Sequence, residues 1–270
     1  MNKKYIIDNH THLNLEPLYD NWQELAEICK QKHMFLNLVS TEPENTIKAI
    51  EIARKTNIAK VLMAIHPTDI DKYEINEVEE QFDQFYEENK DLIIGIGECG
   101  LDKKHPELYP DFEKQVTWLK WHAKYANKLN LPIMLHIRMA YKDLIERWDE
   151  FNFQTQVIIH CFCGTKDEAQ ALLDKGCYIS FAGVVTHKKA ALEFANESIK
   201  TVPLDRIFVE TDAPFLTPAE YRKKTNINLP FYIFETYDYI CKIKNISFDE
   251  LVDAVNENYK KAYNLKEFGY

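Results

Sequence analysis

The sequence predicts an α/β protein, a TIM-type (β/α)8 barrel forming a single domain over residues 1–270, with extra C-terminal helices. Three observations predict it. Short apolar, β-branched runs alternate with longer amphipathic segments, and eight such runs occur. A length of 270 residues suits one closed barrel. No Gly/Ser linker, low-complexity tract or long charge block divides the chain. An open dinucleotide-type sheet would show a glycine-rich first turn. Here the first run leads instead into Asp8-Asn9-His10-Thr11-His12.

The elements follow in order. The first strand is expected over 5–12 and the first helix over 24–32. The run Met-Phe-Leu-Asn-Leu-Val places a strand at 34–40, followed by a helix over 46–55. Strands three and four are expected at 59–66 and 92–98, the latter ending in Gly-Ile-Gly-Glu. The longest helical pattern spans 108–130 and precedes a fifth strand at 132–138. Strands six, seven and eight are expected at 156–161, 177–183 and 206–212. Two more helical patterns, 230–244 and 247–263, follow the eighth strand.

Composition narrows the function. Apolar residues make up 46%, enough for a full core, and charged residues 28%. No apolar run approaches the ~20 residues that cross a bilayer, and residues 1–12 lack the apolar stretch of a signal peptide. A cytoplasmic protein with no membrane partner is expected. Six cysteines in this length do not make a disulfide framework, and Cys161 and Cys163 are too close for a zinc knuckle. The formal net charge of −10 argues against gripping long duplex DNA by charge alone. It leaves nucleic-acid substrates open, because divalent cations and local basic loops can supply positive charge.

Five of the nine histidines stand at or near expected strand ends: His10, His12, His66, His136 and His160. Barrel enzymes build their sites at the C-terminal ends of the strands. His10 and His12 are two apart on an extended segment, so both face one side, with Asp8 deeper on that face. Glu98 is expected to end the fourth strand and Asp212 the eighth. Taken singly, each has an ordinary reading as a polar strand end, a satisfied core histidine or a surface carboxylate. Together, four imidazoles and two carboxylates in one cavity would be badly unsatisfied without a cation. Nitrogen and oxygen donors suit zinc, manganese and similar ions. Six side chains exceed what one tetrahedral ion needs, and a bridging carboxylate with histidines on either side fits two.

The chain resembles the TatD family of metal-dependent deoxyribonucleases, amidohydrolase-like TIM barrels. The resemblance runs over nearly the whole chain. It rests on Asp8-Asn9-His10-Thr11-His12, Ile65-His66-Pro67, Gly95-Ile96-Gly97-Glu98-Cys99-Gly100-Leu101-Asp102, Leu131-Pro132-Ile133-Met134-Leu135-His136-Ile137-Arg138, His160-Cys161-Phe162-Cys163-Gly164-Thr165 and Glu210-Thr211-Asp212-Ala213-Pro214-Phe215-Leu216. It implies that His10, His12, Glu98 and Asp212 serve one metal, and that Glu98 bridges to a second held with His136 and His160. Three places depart from the family. Thr68 stands where a second histidine is common, Lys103-Lys104-His105 where an aromatic residue is usual, and Ile227-Asn228-Leu229 intervenes before Pro230.

The expected chemistry is hydrolysis by a metal-activated water, with two divalent ions (Mg, Mn or Zn) per subunit and Asp212 accepting the proton beside the bridging Glu98. Lys103, Lys104, Arg138, Lys166, Lys188, Lys189, Arg222, Lys223 and Lys224 all follow strands on the presumed active face. They predict a positive mouth, with His66, Arg138, Lys103 and Arg222 contacting substrate. Phe162 and Phe215 flank expected ligands, where they could stack a base or pack in the core. The leading expectation is exonucleolytic cleavage of single-stranded DNA or RNA from an end, with no obligate protein partner. The alternatives are hydrolysis of an amide, ester or lactone, including ester cleavage on D-aminoacyl-tRNA, and metal-loaded binding without turnover.

Overall fold

In the computed structural model, which describes residues 4–187 and 193–269, eight parallel strands form one sheet in chain order. The order is β1 (Ile6–Thr11), α1 (Trp22–Gln31), β2 (Met34–Val39), α2 (Pro43–Thr56), β3 (Ala59–Met63), α3 (Ile75–Glu88), β4 (Ile93–Asp102) and α4 (Phe112–Leu129). Then come β5 (Ile133–Arg138), α5 (Tyr141–Glu146), α6 (Trp148–Phe151), β6 (Val157–Ile159), α7 (Lys166–Asp174), β7 (Tyr178–Phe181), α8 (Glu193–Thr201) and β8 (Ile207–Val209). α9 (Ile233–Lys244) and α10 (Phe248–Ala262) are the extra C-terminal helices. Where β1 ends and the chain leaves β8, the Asp212 N–H donates to the His10 carbonyl at 2.9 Å and the His12 N–H to the Ala213 carbonyl at 2.7 Å. These bonds draw the last strand to the first, so the sheet curls into a barrel.

Local chemistry sets the helix ends. Glu42 and Asn45 form a capping box with Pro43 in the first turn of α2, and Asn57 ends that helix in the left-handed conformation, φ 59°. Asp111 caps α4 through the Glu113 and Lys114 N–H groups. Thr165 with Glu168, and Ser247 with Glu250, do the same for α7 and α10. The inner strands are buried along their whole length, as expected of a parallel sheet covered by helices. α10 is tied on by polar bonds: Tyr259 donates to Asn37 at 2.6 Å and Tyr263 to Asn9 at 2.9 Å.

Two strand boundaries matter for the site. β4 does not end at Glu98 as the sequence suggests. It runs on to Asp102, pairing Gly100 with His136 and Asp102 with Arg138 after a register shift between Ile96 and Cys99. The Gly-Leu-Asp segment reads as a loop by composition, yet its pairing to β5 keeps it extended. β3, β6 and β8 are shorter than expected, so His66, His160 and Asp212 stand just beyond their strands. Lys188 and Lys189 lie outside the described residues. Among the described residues, no helix is long and apolar enough to cross a membrane.

Candidate metal centre

β1 delivers the first pair of donors. Its alternation brings His10 Nε2 and His12 Nε2 to 3.0 Å from each other. The other nitrogen of each ring is engaged: His12 Nδ1 with the Val39 carbonyl at 2.9 Å, His10 Nδ1 with Met134 Sδ at 3.0 Å. In the neutral rings both Nε2 lone pairs therefore face the same point. Glu98 Oε1 lies 3.4 Å from His10 Nε2 and 3.2 Å from His12 Nε2. Asp212 Oδ1 lies 3.6 and 3.3 Å from the same two atoms. A tetrahedron with bonds of about 2.0 Å has edges of roughly 3.3 Å. The five separations above match such edges, and His10, His12 and Asp212 form a group that could hold one cation.

A second set gathers on the other oxygen of Glu98. His136 Nδ1 lies 3.1 Å and His160 Nε2 3.0 Å from Glu98 Oε2, and the two nitrogens are 3.2 Å apart. His66 Nε2 stands 3.8 Å from the same oxygen, its ring edge-on to His136 with centroids 4.4 Å apart. The six residues the sequence pointed to as ligands, and His66 with them, are brought together.

Glycines let β4 carry Glu98 into this position. Gly97 and Gly100 have φ of 152° and 154°. A Cβ on Gly97 would lie 2.7 Å from the Met134 Cβ, and one on Gly100 only 1.9 Å from the His136 carbonyl oxygen. Asp212 itself sits at φ 55°, a conformation aspartate tolerates better than most residues. The Ile65 N–H, just before His66, donates to His122 Nε2 at 3.1 Å, and His122 Nδ1 bonds the Trp118 carbonyl at 2.8 Å.

Charge follows from this crowding. Burial would raise the Glu98 pKa, but the charges of His160 and His10 hold it well below the usual carboxylate range. Burial would lower His12, yet hydrogen bonds with Asp212 and Glu98 carry it up to about 10. His160 and His136 are also raised, against burial, by the carboxylates around them. His66 goes the other way, to about 4, through burial and the neighbouring His136. The carboxylates thus draw protons to His12, His136 and His160, while burial and neighbouring imidazoles lower His10 and His66. A divalent cation held by these residues would meet the same field and take the place of those protons.

Two further carboxylates belong to the arrangement. Asp102 Oδ2 lies 3.0 Å from His136 Nε2, and Glu210 Oε1 lies 3.3 Å from His160 Nδ1. Sequence reasoning assigned neither a role. Their signal was periodicity, since Asp102 is four residues after Glu98 along one strand and Glu210 two before Asp212. Asp8 does not act as a ligand. Its two oxygens accept from the Thr211 N–H at 2.9 Å and the Thr211 hydroxyl at 2.6 Å, bracing β1 against the segment after β8.

The donors open into a cavity of about 1000 Å³. Its lining includes Asp69, Glu98, Asp102, Glu168 and Asp212 and, among the lysines and arginines of the described residues, only Arg138. Of the basic residues expected at the mouth, Arg138 lines the cavity and Lys103, Lys104, Lys166, Arg222, Lys223 and Lys224 do not, while Lys188 and Lys189 lie outside the described residues. Lys103 pairs with Asp143 and lies 4.0 Å over the Phe112 ring, and Arg222 stands 3.4 Å from His187 Nδ1. Lys104, Lys166, Lys223 and Lys224 are exposed, outside the cavity. The rim instead carries apolar side chains, with Met139 70% and Phe215 52% exposed. Phe215 meets His12 edge-on at 5.9 Å. Phe162 is buried against Tyr141 and Phe181, so it packs in the core and does not present a face for stacking.

Known proteins share this plan. Residues 7–264 match the family model described as TatD related DNase. A metal-dependent hydrolase of Buchnera aphidicola subsp. Baizongia pistaciae is 31% identical, over 98% of this chain and 98% of its own. The metal-dependent hydrolase YabD of Bacillus subtilis is 30% identical, over 96% and 99%. The crystal structure of YjjV, a TatD homolog from Escherichia coli, superimposes with a TM-score of 0.86 at 24% identity, covering 96% of this chain and 98% of that one. It shares the fold.

Proposed function

Because the chain belongs to the TatD family of DNase-related metal-dependent hydrolases, we propose that it cleaves phosphodiester bonds of single-stranded DNA or RNA, working from an end with two divalent cations. The observation that carries this reading is the division of Glu98. Each of its oxygens faces its own pair of histidine nitrogens, all at 3.0–3.4 Å. His10, His12, Glu98 and Asp212 would hold one cation, and Glu98, His136 and His160 the other. Two such cations, Mg, Mn or Zn, acidify water and polarise the bond under attack.

The chain's own residues do the rest. Asp212 lines the cavity, and its pKa is lowered despite burial because His12 hydrogen-bonds it and nearby histidines favour its charge. It is therefore an ionised carboxylate, able to orient water and take its proton. Among the described residues, Arg138 is the lining cation available to a backbone phosphate. The exposed ring of Phe215 offers a face to an unstacked base. The exposed Met139 and Phe215 and the acidic side chains that line the cavity beside Arg138 favour a chain end over a long duplex, which needs a broad cationic surface.

The test is turnover by the metal-stripped chain reloaded with Mn²⁺. End-labelled single-stranded DNA and RNA, duplex DNA, D-aminoacyl-tRNA and simple lactones, esters and amides are offered in parallel. Stepwise release of nucleotides from single strands is expected. Turnover of an ester, lactone or amide with no nucleotide release would assign the centre to the other hydrolase class.

A further inference from the structure

The two donor sets differ in what stands behind their histidines. Behind the first set the partners are uncharged: the Val39 carbonyl for His12 and the Met134 thioether for His10. Behind the second set they are carboxylates, Asp102 for His136 and Glu210 for His160. Both carboxylates are buried, at 2% and 0% exposure. The direct donors show the opposite imbalance. The first position has oxygens from both Glu98 and Asp212, whereas the second has only Glu98 Oε2 beside its imidazoles. A cation there has less negative charge in direct contact, and the two outer carboxylates stand where they would make up the difference.

Glu210 carries an independent mark. Its Oε1 accepts from the Cys161 N–H at 2.6 Å as well as facing His160. Its Oε2 is buried with no hydrogen-bond partner among the described residues. A buried carboxylate with an unmatched oxygen is costly unless positive charge nearby offsets it. Among the described residues no lysine or arginine pairs with it. What surrounds it is His160 and His10, whose rings stack at 4.1 Å with 15° between planes and whose donor atoms fall within 4.8 Å of its own. Positive charge reaches Glu210 through these rings, either as protons or from a cation beyond them.

We infer that Asp102 and Glu210 are positioning residues for the second cation. Each accepts the N–H of one imidazole, which fixes the tautomer and turns the bare nitrogen, His136 Nδ1 or His160 Nε2, toward Glu98 Oε2. Each also makes that nitrogen a stronger donor. No hydrogen bond among the described residues joins either carboxylate to His10 or His12, so the affinity of the first position is expected to be set without them. The inference rests on the two-cation reading above.

The variants Asp102→Asn and Glu210→Gln keep volume and remove charge. Mn²⁺ is titrated calorimetrically into the metal-stripped full chain, with electron paramagnetic resonance separating a coupled Mn²⁺ pair from an isolated ion. Wild type is expected to take two equivalents and show the coupled pair. Each variant should keep the first equivalent at wild-type affinity and bind the second ~10–100-fold more weakly. The coupled signal should return at excess Mn²⁺, a rescue that a merely structural role would not give. Asp102→Asn, at the end of β4, carries the test alone if Glu210→Gln does not fold. Two equivalents at wild-type affinity in a folded variant would overturn this inference and leave the two-cation reading standing. Parallel weakening of both equivalents would also overturn it, and a wild type taking fewer than two would remove both.

Discussion

The backbone N–H of Asp212 donates to the carbonyl oxygen of His10 at 2.9 Å. A bond that draws the eighth strand to the first thus joins two residues of the candidate metal centre. Barrel closure and the first donor set therefore share a backbone bond. A ligand that binds only the closed form stabilises it by mass action, by about 2.7 kcal/mol when present at 100 times its dissociation constant.

Chelation should therefore act on both function and fold. Hydrolysis is expected to stop and the thermal midpoint to fall. Mg²⁺, Mn²⁺ or Zn²⁺ should restore both, and calorimetric melting beside an activity assay checks the pair. Full activity in metal-free protein would contradict the reading.

Gly100 sets a limit on how β4 may pass β5. A Cβ there would come 1.9 Å from the His136 carbonyl oxygen, whereas at Gly176, φ 85°, nothing lies within 4 Å. Gly100→Ala should lose at least the roughly 1–3 kcal/mol typical of overpacking and displace His136. Gly176→Ala should lose only the ~1–2 kcal/mol of a left-handed backbone. Urea midpoints of the two variants decide it, and equal losses would show that β5 yields freely.

Much of this was legible in the sequence. Apolar runs ending in histidine or a carboxylate marked where strands meet the cavity, because a parallel strand is buried until it emerges at the rim. The continuation of β4 past Glu98 was not legible, since Gly-Leu-Asp looks like a turn until β5 pairs with it. Asp102 and Glu210 were missed for a related reason. Their partners come from other strands, His136 on adjacent β5 for Asp102 and His160 after β6, two strands away, for Glu210, and periodicity gives a face without saying what stands opposite. The basic loops show the converse. Sequence put them on the active face but could not reveal that Asp143 and Phe112 hold Lys103 or that Arg222 turns to His187.

That distinction makes Arg138 the cation to test. Arg138→Ala should weaken binding of a short single strand and flatten its salt dependence by about one phosphate contact. Lys103→Ala should change the slope little, because its charge is already met by Asp143. Fluorescence anisotropy over a salt series reads both, and a larger loss at Lys103 would reverse the assignment.

Stability should depend on pH through His122. Burial drives its pKa from 6.5 down to about 3, while the Ile65 N–H occupies Nε2. Between about 3 and 6.5 the unfolded chain binds a proton that the folded chain refuses. Stability therefore rises with pH across that window and falls on acidification, by up to about 1.4 kcal/mol per pH unit from this group. His122→Gln keeps a donor and an acceptor but does not titrate. Its unfolding free energy should be less steep in pH between 4.5 and 6.5, and an unchanged slope would mean the ring is not held neutral.

Asp212 remains to be separated into ligand and base. Its Oδ1 sits 3.3 Å from His12 Nε2, close enough to share a cation, and the side chain also lines the cavity where water would be deprotonated. Asp212→Asn keeps the volume and one oxygen that can still touch a cation, but it cannot accept a proton near neutral pH. If the carboxylate is the base, turnover should fall ~10²–10⁴-fold with at least one cation bound, and the acidic limb of the pH–rate profile should change. If it is only a ligand, occupancy of the first position should drop instead and excess metal should restore much of the rate. Elemental analysis beside single-turnover kinetics distinguishes the two. Near-normal turnover at ordinary metal concentration would remove Asp212 from the chemistry and leave proton transfer to another group in the cavity.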